Sequence, residues 1–321
     1  MSLSVCIAIV FMAIVFVCLG LKRADYEPPD PHISEDIDTR PCTDKRLNRR
    51  HTRGRRVRLA IASMVKRPMA FETWLRHHLH TIGAAHIFVR AEDSKDELHA
   101  VLAGESRVTV DFADAEQQHY FSQMDRQMAF VSLAIERARG VGCTHLLHID
   151  DDELLHCPSG VDAFYAYLAS MKHDCITIRN IEAVYDESSC TDPFAGTTTF
   201  VTRPPNYTAY ANGKSIANLS RSKDIQPLGP HLFTGSNRTI PTSKCVVLHF
   251  ESSCFERYRA KFKNYRTSTP HACASGSIPF PFYCQSIDDS SFETWRRWKT
   301  PSRHDEHTLV RIDALEGQRR A

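Results

Sequence analysis

Short apolar runs alternate with amphipathic stretches through the middle of the chain. Leu59-Ala-Ile-Ala-Ser-Met-Val65 is apolar enough, and short enough, for a strand buried on both faces. Phe71, Trp74, Leu75, His78 and Leu79 then recur at helical spacing. A second strand over His86–Arg90 ends in Glu92-Asp93-Ser94, and a helix over 95–102 leads to a third strand over 107–112. Met128, Val131, Leu133 and Ile135 mark a longer helix over 124–139, which stops before Gly140. The fourth strand, Leu146–Ile149, runs directly into Asp150-Asp151-Asp152-Glu153. A helix over 161–171 follows Pro158, and a strand from Cys175 leads towards Glu182, Asp186 and Glu187. Further on, Lys244–Phe250 predicts a strand and Phe255–Tyr265 a basic helix. Strands alternating with helices of this length indicate an α/β domain: an open, mostly parallel sheet with helices on both faces.

The ends of the chain follow other patterns. Leu3 to Leu21 is almost wholly apolar and uncharged, close to the ~20 residues that span a bilayer. It predicts a single-pass signal anchor over 1–23, with a cleaved signal peptide as the alternative. Residues 24–56 have no hydrophobic period, four prolines and a basic run from Lys45 to Arg58, which predicts a flexible stem. The catalytic domain is then expected over 57–285, with a tail over 286–321 that carries Trp295 and Trp298 among arginines.

Composition narrows the setting. A net charge of +2 gives no bulk attraction to nucleic acid. Nine cysteines lie outside the apolar segment, none in Cys-x-x-Cys spacing, which disfavours a zinc ribbon and suits an oxidising compartment. Sequons begin at Asn206, Asn218 and Asn237. Lys22 and Arg23 favour the opposite orientation by the positive-inside rule. Cysteines and sequons together nevertheless place the body in the lumen, as a type II protein of the Golgi or ER membrane.

Four adjacent carboxylates repel one another unless a cation sits among them. On an extended chain Asp150 and Asp152 point the same way. They could hold a divalent metal through hard oxygen ligands while leaving positions for phosphate oxygens. The competing explanation is an acidic helix N-terminus, which accounts for one or two acids but not four.

The string His148-Ile-Asp-Asp-Asp-Glu-Leu-Leu155 resembles the Asp-x-Asp signature of GT-A-fold glycosyltransferases, in their family-2-like and family-92-like group. The stretch from Met64 to Ser94 is similar to that group's opening, although Arg67-Pro68 stands where the group has Asn-Glu. The resemblance implies a nucleotide-sugar donor, a cofactor of Mn²⁺ or Mg²⁺, and a hydroxyl acceptor on a glycan, protein or lipid. It implies metal binding by Asp150, Asp152 and His249, with Asp151 in the same motif beside the nucleotide. Glu92 or Asp93 is placed at the uracil or ribose, and Arg126, from a helix start similar to the group's Asp-Arg-Gln, at a phosphate. Asn212-Gly213-Lys214-Ser215 resembles a Gly-Lys turn at the phosphates, and Gly229-Pro-His231 a Gly-x-His element. In an inverting enzyme a carboxylate takes the acceptor's proton; Glu182, Asp186 and Glu187 are the candidates. A fold relative without turnover and a metal-dependent phosphohydrolase are the alternatives.

Overall fold

The computed structural model describes residues 57–315, apart from 93–94, 103, 114–119, 186–190, 203–206, 269–272, 275–277, 279 and 302–303. The expected anchor and stem lie outside the described residues, as do Asp93, Asp186, Glu187 and the sequon at Asn206. Among the described residues no helix is long and apolar enough to cross a membrane.

The fold is mixed α/β, built on a seven-stranded sheet. Strand β1 (Leu59–Lys66) pairs in parallel with β2 (His86–Glu92), and β2 with β3 (Val108–Ala113). On its other side β1 takes β4 (His145–His148), also parallel. The sheet continues through β9 (Lys214–Asn218), antiparallel, to β6 (Cys175–Ile178) and the edge strand β12 (Asn237–Thr239), while β10 (Pro227–Leu228) and β11 (Leu232–Phe233) form a separate antiparallel pair.

The pleat of β1 shows why both faces are covered. Leu59, Ile61 and Val65 join the core under α1 (Phe71–Arg76), with Phe71, Trp74 and Leu75. Ala60 and Ala62 face the other way, where α3 (Tyr120–Gly140) packs Phe130, Val131, Ala134 and Ile135. Alanines on that face let the long helix approach closely. The helix α2 (Lys95–Leu102) sets Leu98 into the first of these cores.

A second, five-stranded sheet follows the order β14-β8-β7-β13-β5. It comprises β5 (Glu153–His156), β7 (Asn180–Val184), β8 (Thr199–Val201), β13 (Val246–His249) and β14 (Leu309–Arg311). The single strand expected from Cys175 onward is therefore two. Ile178 still pairs with Lys214 in the first sheet, whereas Asn180 pairs with Val247 in the second, so the chain changes sheets at Arg179.

Helix α4 (Val161–Ser170) and the short α5 (Pro193–Gly196) precede α6 (Phe255–Ser268), which runs three residues past the expected end. Then come α7 (Pro281–Asp288) and α8 (Phe292–Lys299), the latter capped by Ser291 accepting from the Thr294 amide. Residues 286–315 are built into this half: Ile287 and Trp295 sit in the large core, and β14 extends the second sheet from β8. A disulfide joins Cys273 to Cys284.

Candidate functional site

Because β1, β2 and β4 are parallel, their C-terminal ends open on one edge, where such sheets gather ligands. A cleft of about 860 Å³ lies there, with Lys66 ending β1 and Arg67 beyond it, Glu92 ending β2, and Asp150 to Asp152 beyond β4.

The acids do not continue the strand. β4 ends at His148, and the Glu153 amide donates to the Asp150 carbonyl at 3.3 Å, so residues 150–153 form a turn between the two sheets. Trp74 from α1 holds this turn, its indole N–H donating to the carbonyls of Asp150 (3.1 Å) and Glu153 (2.9 Å). The Phe250 amide donates to the Asp152 carbonyl at 2.8 Å, which ties the turn to the end of β13.

This turn separates the two aspartates that an extended chain would place together. Asp150 meets the ammonium of Lys214 at 2.5 Å and the Gln127 amide nitrogen at 2.9 Å. Lys214 is fully buried, and Glu153 lies 3.5 Å from it on the other side. Gly213 explains how lysine enters: its φ is +71°, and a Cβ there would lie 2.0 Å from the Ile178 carbonyl oxygen. Asp150 and Lys214, expected at a metal and at a phosphate, thus form a buried ion pair with each other. Burial would raise the Asp150 carboxyl, but Lys214 holds it far below the usual range. Burial dominates at Glu153, which is pushed up to about 8.

Asp152 turns the other way. Its Oδ1 lies 3.9 Å from His249 Nε2, which is also 3.9 Å from Glu251 Oε2. One ligand atom from each of the three lies within 4.8 Å of the others. Two carboxylates and an imidazole nitrogen suit a divalent cation such as Mn²⁺. The second nitrogen, Nδ1, is buried, has no hydrogen-bond partner and faces Glu182 Oε1 at 3.6 Å. A proton held on Nδ1 by that carboxylate leaves the Nε2 lone pair directed at the cluster. Burial would depress the His249 imidazole, but Glu182 together with Asp152 and Glu153 lifts it to about 9.

Glu182, a candidate base from the sequence, is instead an anchor. One oxygen accepts from the Thr208 amide (2.6 Å) and hydroxyl (2.7 Å), the other from the Ala209 amide at 2.8 Å. Burial opposes its charge, but Lys299 and His249 outweigh that and hold it at about 2. With no free oxygen and that acidity, it is poorly suited to take a proton from a substrate.

Glu92 is 2% exposed, and its carboxylate receives Arg126 through two bonds, 2.7 and 2.9 Å, with Arg90 at 3.1 Å. The nucleoside and phosphate candidates on this wall therefore form a pair with each other. Asp151 takes Arg257 at 3.1 Å; burial raises its carboxyl to about 6. His231 bonds the Gly213 carbonyl through Nδ1 at 2.9 Å, and its ring lies 4.3 Å from that of Tyr210.

Several residues at the site went unrecognised in the sequence. Glu251 follows His249 by two, a spacing that shares one side of an extended chain and could have found it. Lys261 grips Glu251 at 2.8 and 3.0 Å, and the Tyr283 hydroxyl donates to it at 3.0 Å. Lys299, 1% exposed, reaches in from α8 to donate to Thr208 Oγ1 at 2.6 Å. No local signal marks Lys299.

No family model matches the chain, and no curated protein matches it. Among solved structures, HddC from Yersinia pseudotuberculosis complexed with GMP-PN is 12% identical with a TM-score of 0.32, over 59% of this chain and 92% of that one. A 4-diphosphocytidyl-2C-methyl-D-erythritol synthase is 11% identical with a TM-score of 0.32, over 51% of this chain and 76% of that one.

Proposed function

We propose that this protein is a metal-dependent glycosyltransferase of GT-A type, moving a sugar from a nucleotide-sugar donor to a hydroxyl acceptor. The supporting observation is the meeting of Asp152, His249 and Glu251 at the cleft where the parallel strands end. Asp152 and His249 belong to the motifs on which the family resemblance rests; Glu251 joins them only in the folded chain. A cation held there supplies positive charge against the diphosphate as the nucleotide departs.

The remaining roles fall to the chain's own residues. Glu182 sets the His249 tautomer through Nδ1. Arg257 and Lys261 line the same cleft and add positive charge beside the phosphates. Glu92 and Arg126, paired across β2 and α3, form the wall assigned to the nucleoside. Asp186 or Glu187 is the proposed proton acceptor, since Glu182 is fully engaged. Two-metal phosphoester hydrolysis is less well served, because the described residues contain one such cluster. The apolar segment Leu3–Leu21 and the sequons support a luminal enzyme on a secretory membrane.

The test is a thermal-melt screen of nucleoside diphosphates with and without Mn²⁺, followed by hydrolysis of the matching nucleotide sugars. Protection that needs both metal and nucleotide, with slow release of sugar from one donor, is expected. Protection by no nucleotide under any metal would overturn the assignment.

A further inference from the structure

Cys157 and Cys245 are free thiols in this structure, yet their sulfurs lie 3.8 Å apart. Their positions are fixed from both sides. In the antiparallel ladder of β5 and β13, His156 pairs with Val246, and Cys157 and Cys245 are the residues immediately beyond that last pair. Beyond them, Ser159 donates to the Ser243 carbonyl through its amide (3.1 Å) and its hydroxyl (2.7 Å). The two cysteines are thus held face to face between a sheet ladder and a hydrogen-bonded loop. Closing the remaining gap needs only a small movement of the two side chains towards bonding distance.

We infer that Cys157 and Cys245 form a second disulfide, cross-linking β5 to β13 beneath the site. β5 begins at Glu153 and β13 ends at His249, which pair with each other, so the bond would fasten the two strands that flank the metal cluster. Its consequence does not depend on the function proposed above.

The chemistry requires a disulfide oxidant, such as oxidised glutathione. The half-buried Cys157, as thiolate, attacks one sulfur of the oxidant and releases one glutathione thiolate. The Cys245 sulfur then attacks Cys157 Sγ in this mixed disulfide, releasing the second glutathione. Two thiols lose two protons and two electrons, and one glutathione disulfide becomes two thiols. Cys245 is fully buried, so the second step is favoured while the chain is still folding and its sulfur is reachable.

The experiment uses the full chain, refolded in a glutathione buffer, alkylated without reduction and digested for mass spectrometry. Peptides carrying Cys157 and Cys245 should be recovered joined, two hydrogens lighter than the reduced pair. A Cys157→Ser/Cys245→Ser double variant should melt about 5 °C or more below the oxidised parent, since the bond closes a long loop. Reduction should lower the parent's melting temperature by more than that of the double variant, which among the described residues keeps Cys273–Cys284 but lacks the Cys157–Cys245 bond. Recovery of Cys157 and Cys245 as alkylated thiols overturns the inference, whatever the state of the other pair.

Discussion

At the scale of single residues, adjacent carboxylates serve opposite purposes. Asp152 faces the cluster with His249 and Glu251, whereas Asp150 neutralises a buried lysine. Asp152→Asn should therefore abolish Mn²⁺-dependent protection by a nucleoside diphosphate with little change in the metal-free melt. Asp150→Asn should do the reverse. It leaves the Lys214 ammonium buried with Glu153 alone, costing about 3 kcal/mol, and chemical denaturation would register the loss. If both variants behave alike, the division of labour is wrong. Glu182→Gln turns an amide N–H₂ towards either the Thr208 or the Ala209 donor and removes the negative charge 3.6 Å from His249 Nδ1. Titration with Mn²⁺ should show affinity falling about 10–100-fold, the usual cost of losing a partner behind a metal-bound histidine. Unaltered metal affinity would remove Glu182 from the site.

At the scale of elements, the acidic turn is held from outside. Its carbonyls are anchored by Trp74 on α1 and its exit by Phe250 after β13. Trp74→Phe keeps most of the apolar contact but strands the buried Glu153 carbonyl, at about 1–3 kcal/mol, and leaves the Asp150 carbonyl to the Glu153 amide alone. The variant should lose more metal affinity than its drop in melting temperature accounts for, because the turn itself loosens. Equal losses in the corresponding Leu75→Ala control would show that only bulk stability had changed. The helix bearing Trp74 and the strand before it were legible from apolar spacing alone. The hydrogen bonds from the indole were not, since they reach residues 76 and 79 positions away.

For the whole molecule, buried histidines tie stability to pH. His77 donates to the Leu155 carbonyl through Nε2 at 2.7 Å, and burial pushes it down to about 4; burial does the same to His145 and His148. The unfolded chain takes up these protons near pH 6.5, while the folded one refuses them until about 4. The stability these three histidines contribute is thus complete above 6.5 and falls as pH drops through that window, by up to about 3 kcal/mol per histidine. Between pH 6.5 and 4, unfolding of the His77→Gln variant should take up one proton fewer than that of the parent, read from the difference between their melting temperatures across that range. A second whole-molecule expectation concerns glycans. Asn218 is buried at the end of β9 and Asn237 is exposed on edge strand β12. Expression through a secretory pathway should therefore yield glycan at Asn237 and none at Asn218, as glycopeptide mapping would show. The sequence by itself determined the alternating strands and helices, the acidic break after β4 and the histidine ending β13, because apolar periodicity and charge are local properties of the chain. Only tertiary structure decided which acids share a cation site. Asp150 and Asp152 part because a turn links two different sheets; Glu251, Lys261 and Lys299 gather behind them because distant segments pack there. Distances between charges belong to the folded chain, and they set which carboxylate meets a lysine and which is left for a metal.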